Sequence, residues 1–101
     1  MVAPETSAAV KLERMASGHL NLVLRERGDW AGFDAFANEF LSKVDGELIC
    51  RVDSPVDRVW TVRIGGEEFW LAFDDWQACY ELSSRSVLGD AIIESLASTR
   101  A

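Results

Sequence analysis

Hydrophobic and polar positions change their period several times along the chain. Residues 19–26, HLNLVLRE, alternate strictly with three leucines on one face, which is typical of a half-buried strand. Residues 29–44 instead place aromatic and aliphatic side chains at helical spacing, which predicts an amphipathic helix packed on the core. Asp29 is expected as its N-cap, because a carboxylate accepts hydrogen bonds from free backbone N–H groups, and Gly46 is expected to end it.

A hairpin follows, and its turn fixes a register. Gly65-Gly66 separates two β-rich runs, and a two-residue turn needs the positive φ angles that glycine tolerates. The turn pairs Trp60 with Leu71 on one face of the sheet and Thr61 with Trp70 on the other. The same register sets opposite charges across from each other near the turn, which favours it.

The strand before this hairpin is predicted from residues 47–52, ELICRV, which also alternate. A loop that contains Ser-Pro would join it to the hairpin. This connection pairs Cys50 with Trp60 and Leu48 with Val62, so all three strands would run antiparallel.

Arg63 would then lie between Glu47 and Glu68 across three neighbouring strands. We interpret this set as a solvated charge ladder that contributes a few tenths of a kcal/mol per pair, ~0.2–0.5. A ligand-binding arginine is the less favoured alternative.

The stretch 76–82 is ambiguous. Its alternation suits a strand, which we favour, and a four-residue loop would then pair Leu71 with Tyr80. Alternatively, the segment begins a helix with Asp74 as N-cap and Gln77 three residues later, the spacing of a capping box.

The last predicted element is a helix over residues 85–98, RSVLGDAIIESLAS. Leu88, Ile92 and Leu96 form its apolar stripe. Gly89 interrupts it and costs about 1 kcal/mol relative to alanine in a helix interior.

These elements predict an α+β two-layer sandwich with the order β-α-β-β-β-β-α. About five antiparallel strands would carry two amphipathic helices on one face. Residues 1–8 are expected to be a flexible N-terminus and residues 9–101 a single domain, in which 10–15 form a short strand or turn. The predicted core face carries Leu20, Leu22, Leu24, Leu48, Cys50, Val52, Trp60, Val62, Ile64, Phe69, Leu71, Phe73, Tyr80 and Leu82.

Composition narrows the class of function. The 101 residues are 49% hydrophobic, which is enough for a packed core and unlike a disordered chain. The net charge is −7, and residues 65–101 hold seven acidic groups against two basic ones. Such a chain repels phosphate backbones, so we expect no nucleic acid; the charge fits a basic protein partner or serves only solubility.

The location is predicted from what the sequence lacks. No apolar run is long enough for a membrane helix, and the first ten residues do not resemble a secretory signal. We therefore expect a cytoplasmic protein without membrane contact. Cys50 and Cys79 are interpreted as two reduced thiols.

Catalysis and metal binding find little support in the sequence. Nucleophilic chemistry needs a Ser or Cys near a His, and His19 stands alone at the start of a strand. Asp74 and Asp75 are neighbours in a predicted turn, and adding Glu81 or Asp90 does not establish a divalent-cation site. We therefore expect no enzymatic activity, no cofactor and no metal.

The face of the sheet opposite the helices is the candidate binding surface. Its aromatic and arginine side chains are typical of binding hot spots, although scattered apolar residues also occur on ordinary surfaces. Trp70 lies near its middle. The predicted members are Asn21, Val23, Arg25, Ile49, Arg51, Val59, Thr61, Arg63, Trp70, Ala72, Cys79 and Glu81.

One hairpin motif supports a family resemblance. Trp70, Phe73, Asp74 and Asp75 match the pattern F/W-x-x-F-[DE]-[DE]. In this motif, residues 47–82 resemble uncharacterised bacterial families of about this length. In size, acidity and fold class the chain also resembles the immunity proteins of bacterial toxin–immunity pairs.

The resemblance implies a small acidic interaction module that neutralises a basic partner, and it transfers no catalytic residue. The hypothesised partner-binding residues are Trp70, Trp76, Asp74, Asp75, Arg63 and Glu81. The alternative is a homodimeric structural protein that associates through the open sheet face. A small-ligand binder between the helices and the sheet is a third and less favoured hypothesis.

Overall fold

A computed structural model describes residues 11–100, which form an α+β sandwich-like fold. Its six strands make one antiparallel sheet in the order β1-β2-β6-β5-β4-β3. The elements are β1 (Lys11–Arg14), β2 (Leu20–Arg25), α1 (Phe33–Val44), β3 (Glu47–Asp53), β4 (Arg58–Ile64), β5 (Glu67–Asp74), β6 (Cys79–Ser84) and α2 (Val87–Arg100).

The predicted order of elements is confirmed from β2 to α2, but the sheet has six strands where about five were predicted. The stretch 10–15, left open between strand and turn, supplies the edge strand β1 beside β2. The predicted flexible segment 1–8 lies outside the described residues. Within 11–100, neither helix is both long and apolar enough to cross a membrane.

The register of the β4–β5 hairpin is confirmed. Trp60 pairs with Leu71 and Thr61 pairs with Trp70. Gly65-Gly66 forms the turn with φ angles of 60° and 85°, a region that side chains with a Cβ atom disfavour. Local turn chemistry therefore fixes the centre of the sheet.

The preference for a strand over 76–82 is confirmed in part, because the strand begins only at Cys79. The predicted register is two residues off, since Leu71 pairs with Leu82 and not with Tyr80. Side chains alternate with period two, so this shift keeps every side chain on its predicted face.

The shift comes from the turn. Residues 75–78 form it, and Ala78 adopts a positive φ of 54°. Asp74 stays in the strand, where its Oδ1 accepts hydrogen bonds from the backbone N–H of Trp76 (3.0 Å) and of Gln77 (3.4 Å). The aspartate therefore organises the turn from its edge.

Strand β3 departs from the predicted register at a bulge. Leu48 pairs with Val62 as predicted, but the pairing shifts across Ile49. Beyond it, Cys50 lies opposite Thr61 instead of Trp60. One extra residue in a strand moves every following side chain to the other face.

The predicted core of β3 is wrong: past the bulge Cys50 and Val52 turn to the other face, whereas Leu48 keeps its predicted partner but lies exposed on the sheet edge. Leu48, Cys50 and Val52 are exposed, and all seven residues of this edge strand are. Arg51, predicted on the open face, instead places its guanidinium 4.4 Å from the ring of Trp60.

The ends of α1 also differ from prediction. The helix begins at Phe33, and Asp29 is not its N-cap: its Oδ1 accepts from the N–H of Gly32 at 2.7 Å, in the turn before the helix. At the other end, Asp45 rather than Gly46 takes the left-handed conformation, with φ 57°.

The predicted apolar stripe of α2 is confirmed in part, since Ile92 and Leu96 pack against the core. Leu88 is 66% exposed, whereas Ile93 is fully buried. Gly89 lies against the sheet, where an added Cβ would stand 2.7 Å from Ser84 Oγ and 3.4 Å from the ring of Phe69. A glycine at this position therefore allows the helix to approach the sheet closely.

One hydrophobic cluster joins the sheet to both helices, and we call the sheet face that contributes to it the inner face. The predicted core residues of β2, β4, β5 and β6 are confirmed as buried. The cluster consists of Leu20, Leu22, Leu24, Phe33, Ala37, Phe40, Leu41, Trp60, Val62, Ile64, Phe69, Leu71, Phe73, Tyr80, Leu82 and Ile93.

Candidate functional site

The alternate positions of the strands form the opposite sheet face, which we call the outer face. Strand pairing arranges its central residues in two rows across the sheet. One row is Glu13, Asn21, Ser83, Trp70, Thr61 and Cys50, and the other is Lys11, Val23, Glu81, Ala72, Val59 and Val52. The β3–β5 half is therefore apolar at its centre, and the β1–β6 half is polar.

The apolar half is partly open. Trp70 is 43% exposed and Val52 is 62% exposed, whereas Val59 and Ala72 are half-buried between them. The guanidinium of Arg85 lies 4.4 Å from the centre of the Trp70 ring, so one side of the indole carries a cation–π contact.

The predicted charge ladder on this half is confirmed as a set of contacts. Arg63 lies 3.4 Å from Glu47 and 3.7 Å from Glu68, and Arg85 reaches Glu68 at 4.0 Å. All four side chains are exposed, so water and salt screen these pairs and each contributes little to stability.

The polar half brings three ionisable groups together. The carboxylate oxygens of Asp74 and Glu81 and the sulfur of Cys79 lie within 4.8 Å of one another, and we call these three residues the acid–thiol group. Asn21 supports it: its Nδ2 donates to Glu81 (3.1 Å) and to Glu13 (3.2 Å). The predicted open face is therefore closed here, where Asn21 and Cys79 are buried.

The electrostatics of the acid–thiol group disfavour negative charge. Burial, and to a smaller extent the nearby carboxylates of Glu81 and Asp74, raise the pKa of the Cys79 thiol to about 11. Burial also raises the pKa of Glu81, with smaller contributions from Asp74 and Glu13, while the hydrogen bond from Asn21 opposes the rise. Within residues 11–100, Asp74 and Glu81 form no ion pair.

The β5–β6 turn carries the most exposed aromatic side chain. Trp76 is 91% exposed, and Asp75 beside it is exposed too. Of the six hypothesised site residues, the structure brings Asp74 and Glu81 into one cluster and places Trp76 and Asp75 at the adjoining tip. Trp70 and Arg63 lie further along the outer face.

A second charged cluster, which the sequence analysis missed, surrounds Arg58. This arginine is only 3% exposed. Its Nε and Nη2 donate to the two carboxylate oxygens of Asp53 at 2.9 and 3.2 Å, its Nη1 donates to the carbonyl of Trp30 at 2.9 Å, and it forms an ion pair with Asp34. Its guanidinium also lies 4.3 Å from the centre of the Trp30 ring.

The charge of Arg58 is balanced by the carboxylates of Asp53 and Asp34. The hydrogen bond from Arg58 lowers the pKa of Asp53, and the same bond raises the pKa of Arg58. Trp60 Nε1 donates to Asp53 as well, at 3.1 Å. The cluster ties the start of α1 to the β3–β4 hairpin, so we assign it to the fold and not to binding.

His19, the only histidine of the sequence, contacts a carboxylate. His19 Nδ1 lies 2.9 Å from Asp90 Oδ2, and the other oxygen of Asp90 accepts the backbone N–H of Leu20 at 2.9 Å. The hydrogen bond to His19 lowers the pKa of Asp90 to about 2. This contact joins α2 to β2.

Comparison with known proteins places the chain in a family without a known function. No curated protein and no solved structure matches the chain. One family model matches residues 10–100, which is nearly the whole chain. The protein therefore belongs to the DUF3630 family, described as a protein of unknown function.

Proposed function

We propose that this protein is an acidic interaction module of the immunity type, which binds and neutralises a basic protein. The observation that carries the proposal is the β5–β6 tip, where the indole of Trp76 stands 91% exposed next to the carboxylates of Asp74 and Asp75. A large apolar side chain exposed to water beside two acidic residues suits a basic partner with an apolar pocket.

The overall charge supports the same partner. The net charge of −7 would speed the encounter with a basic protein through long-range attraction. The proposed architecture has two layers, with both helices on the inner face, so that the apolar half of the outer face and the tip remain for the partner. The two free thiols fit the reducing cytoplasm, where we place this encounter.

Binding is favoured over catalysis by the state of the reactive side chains. A thiol with a pKa raised to about 11 is protonated at neutral pH and is a weak nucleophile, which disfavours Cys79. His19, the residue that would activate a nucleophile, already contacts Asp90 at 2.9 Å.

Site-specific photo-crosslinking in the native cells tests the proposal. p-Benzoylphenylalanine replaces Trp76 at the tip and, as a matched control, Val87 at the start of α2, which is 77% exposed and also apolar. We expect the probe at position 76 to capture one basic protein that the probe at 87 does not capture. Asp75→Lys should weaken the capture, and raising the salt concentration should weaken it further.

Identical adducts from both positions would contradict a binding site at the tip. Capture of a neutral or acidic protein that Asp75→Lys does not affect would contradict the electrostatic part of the proposal. Purified partner and module then give the association rate directly.

A second candidate is a homodimer that forms through the apolar half of the outer face. It is favoured by the seven exposed residues of edge strand β3, since an unpaired strand edge can pair with another chain. Sedimentation velocity should then show a dimer for the parent and a monomer for Trp70→Glu. A parent that stays monomeric at high concentration would contradict this candidate.

A further inference from the structure

The acid–thiol group lies where β5 and β6 end at their turn. Asp74 and Cys79 face each other in the last pair of this hairpin, and Glu81 follows Cys79 by two residues on the same face. Two carboxylates and one sulfur therefore converge within 4.8 Å although they come from two strands. Adjacent strands hold them at this separation, so the group is not a product of one mobile loop.

The environment of the Cys79 thiol supports the presence of a ligand. Its side chain is 3% exposed, it lies among the two carboxylates, and it makes no hydrogen bond to any residue between 11 and 100. The positive charge of Lys11 acts against the nearby carboxylates and lowers the pKa of the Cys79 thiol. Its ammonium also pairs with Glu13, at 3.8 Å. A buried sulfur between two carboxylates is therefore left in a field that favours a cation.

We propose that Asp74, Cys79 and Glu81 bind a divalent cation of intermediate softness, of which Zn²⁺ is the biological representative. Binding releases the proton of the thiol, so the thiolate sulfur and one oxygen of each carboxylate become ligands. The thiolate and the two carboxylates then carry three negative charges, and the cation offsets two of them.

One thiolate sulfur together with two carboxylate oxygens favours this class of cation. Thiolate disfavours Ca²⁺ and Mg²⁺, which take oxygen ligands, whereas one sulfur with two oxygens suits Zn²⁺ or Co²⁺. Three protein ligands leave a fourth tetrahedral position for water. A cavity of about 250 Å³ adjoins the thiol and has room for this water; it is lined by Lys11, Val23, Glu26, Arg27, Gln77 and Cys79.

Neighbouring hydrogen bonds position the ligands. Asn21 is buried, accepts from Ser83 Oγ at 2.7 Å and donates to Oε1 of Glu81, which leaves Oε2 for the cation. Oδ1 of Asp74 accepts from the turn backbone, which leaves Oδ2. Such supporting contacts are typical around metal ligands, because they fix the orientation of each carboxylate.

This inference does not depend on the proposed partner. The ion would be held by Asp74, Cys79 and Glu81, of which Asp74 also contributes charge to the tip, whereas the crosslinking experiment probes Trp76 and Asp75. The metal can therefore fail while the partner is captured, and the reverse also holds.

Cobalt titration of the reduced full chain tests the site. We expect one equivalent of Co²⁺ to give the charge-transfer absorption of a thiolate–cobalt bond, and Zn²⁺ to displace it. Cys79→Ser should abolish this absorption. Cys50→Ser is the matched control, since Cys50 is the other cysteine of the chain and lies exposed on β3, and it should leave the absorption intact.

A variant with both cysteines present keeps the test valid if Cys79→Ser fails to fold. Glu81→Gln should keep the absorption at saturation and weaken the affinity for Co²⁺ by at least about tenfold, because it loses one charged ligand. Zn²⁺ should also raise the thermal midpoint of the parent and of Cys50→Ser. An absorption that disappears in Cys50→Ser, unchanged affinity in Glu81→Gln, or no absorption in the parent would each overturn the site.

Discussion

The Arg58 cluster and the acid–thiol group both place ionisable side chains on the sheet, with opposite electrostatic results. In the Arg58 cluster, two carboxylates, a carbonyl and an aromatic ring surround one guanidinium, and the pKa of Asp53 is lowered. In the acid–thiol group, burial and like charges raise the pKa values of Glu81 and Cys79. The first cluster favours its charged state, and the second opposes it.

This difference separates a structural cluster from a candidate binding site. A buried charge with all its partners in place stabilises the fold around it once it is formed. Ionisable groups that raise each other's pKa reduce stability, and such groups are typical of functional sites. The account therefore predicts that neutralising the two clusters changes the free energy of unfolding in opposite directions.

The largest effect is expected from Arg58→Met. Removing the guanidinium breaks its hydrogen bonds to Asp53 and Trp30 and its ion pair with Asp34, which should lower the free energy of unfolding by about 2–4 kcal/mol. Arg63→Met is the control on the same strand, because its ion pairs are exposed, and it should lose less than about 1 kcal/mol. Urea denaturation at neutral pH measures both, and equal losses would contradict the assignment of Arg58 to the fold.

A smaller loss is expected from Asp53→Asn, about 1–3 kcal/mol at neutral pH, because a hydrogen bond to a charged partner is weakened. The pKa of Asp53 is lowered below its ordinary value of 3.8 in the folded state. Its stabilisation is therefore complete above pH 3.8 and disappears as the pH falls through the lowered pKa. The gap between variant and parent should close in acid, whereas Asp57→Asn in the adjoining loop should show little gap at any pH.

Breaking the His19–Asp90 contact should have an intermediate effect on stability, because the two side chains are paired but lie near the surface. Asp90→Asn should lower the stability of the docked α2 at neutral pH. Since the pKa of Asp90 falls from 3.8 to about 2, this loss should vanish as the pH is lowered through that interval. Thermal unfolding at several pH values measures it, with Glu94→Gln on the same helix as control, and a loss that persists at pH 2 would contradict the role of the charge.

The strand registers and the Arg58 cluster could be predicted from the sequence only in part. Gly65-Gly66 has a strong local preference, and it fixed the β4–β5 register correctly. The bulge at Ile49 has no such local signal, so the face of β3 was predicted wrongly. Arg58 was missed because its partners Asp53 and Asp34 come from different elements, and the sequence pattern shows only an arginine at the start of a strand.

The candidate site was predicted in part for a similar reason. Asp74, predicted in the turn, and Glu81, predicted on the open face, are both among the hypothesised partner-binding residues, and the structure brings them into one cluster. Cys79 was interpreted as a small apolar residue, and its proximity to both carboxylates depends on the β5–β6 register, which the sequence analysis placed two residues off. A left-handed alanine, Ala78, sets that register, and alanine gives no sequence signal for it.

The smallest effect tests the central claim most directly, because its sign is opposite to the others. The pKa of Glu81 is raised above its ordinary value of 4.5, so the folded state disfavours its charge above that pH. Glu81→Gln should therefore raise the free energy of unfolding at neutral pH, by about 0.2–1 kcal/mol, when EDTA removes metal ions. Below pH 4.5 both states of the parent carry a neutral Glu81, and the gain should vanish.

The measurement is urea denaturation of the parent, Glu81→Gln and Glu68→Gln as a function of pH. Glu68 lies on the same face but pairs with Arg63 and Arg85, so its substitution should give no gain at neutral pH. A gain for Glu81→Gln alone, present at neutral pH and absent in acid, is the predicted result. A loss at neutral pH would show that Glu81 is compensated like Asp53 and would contradict the distinction between the two clusters.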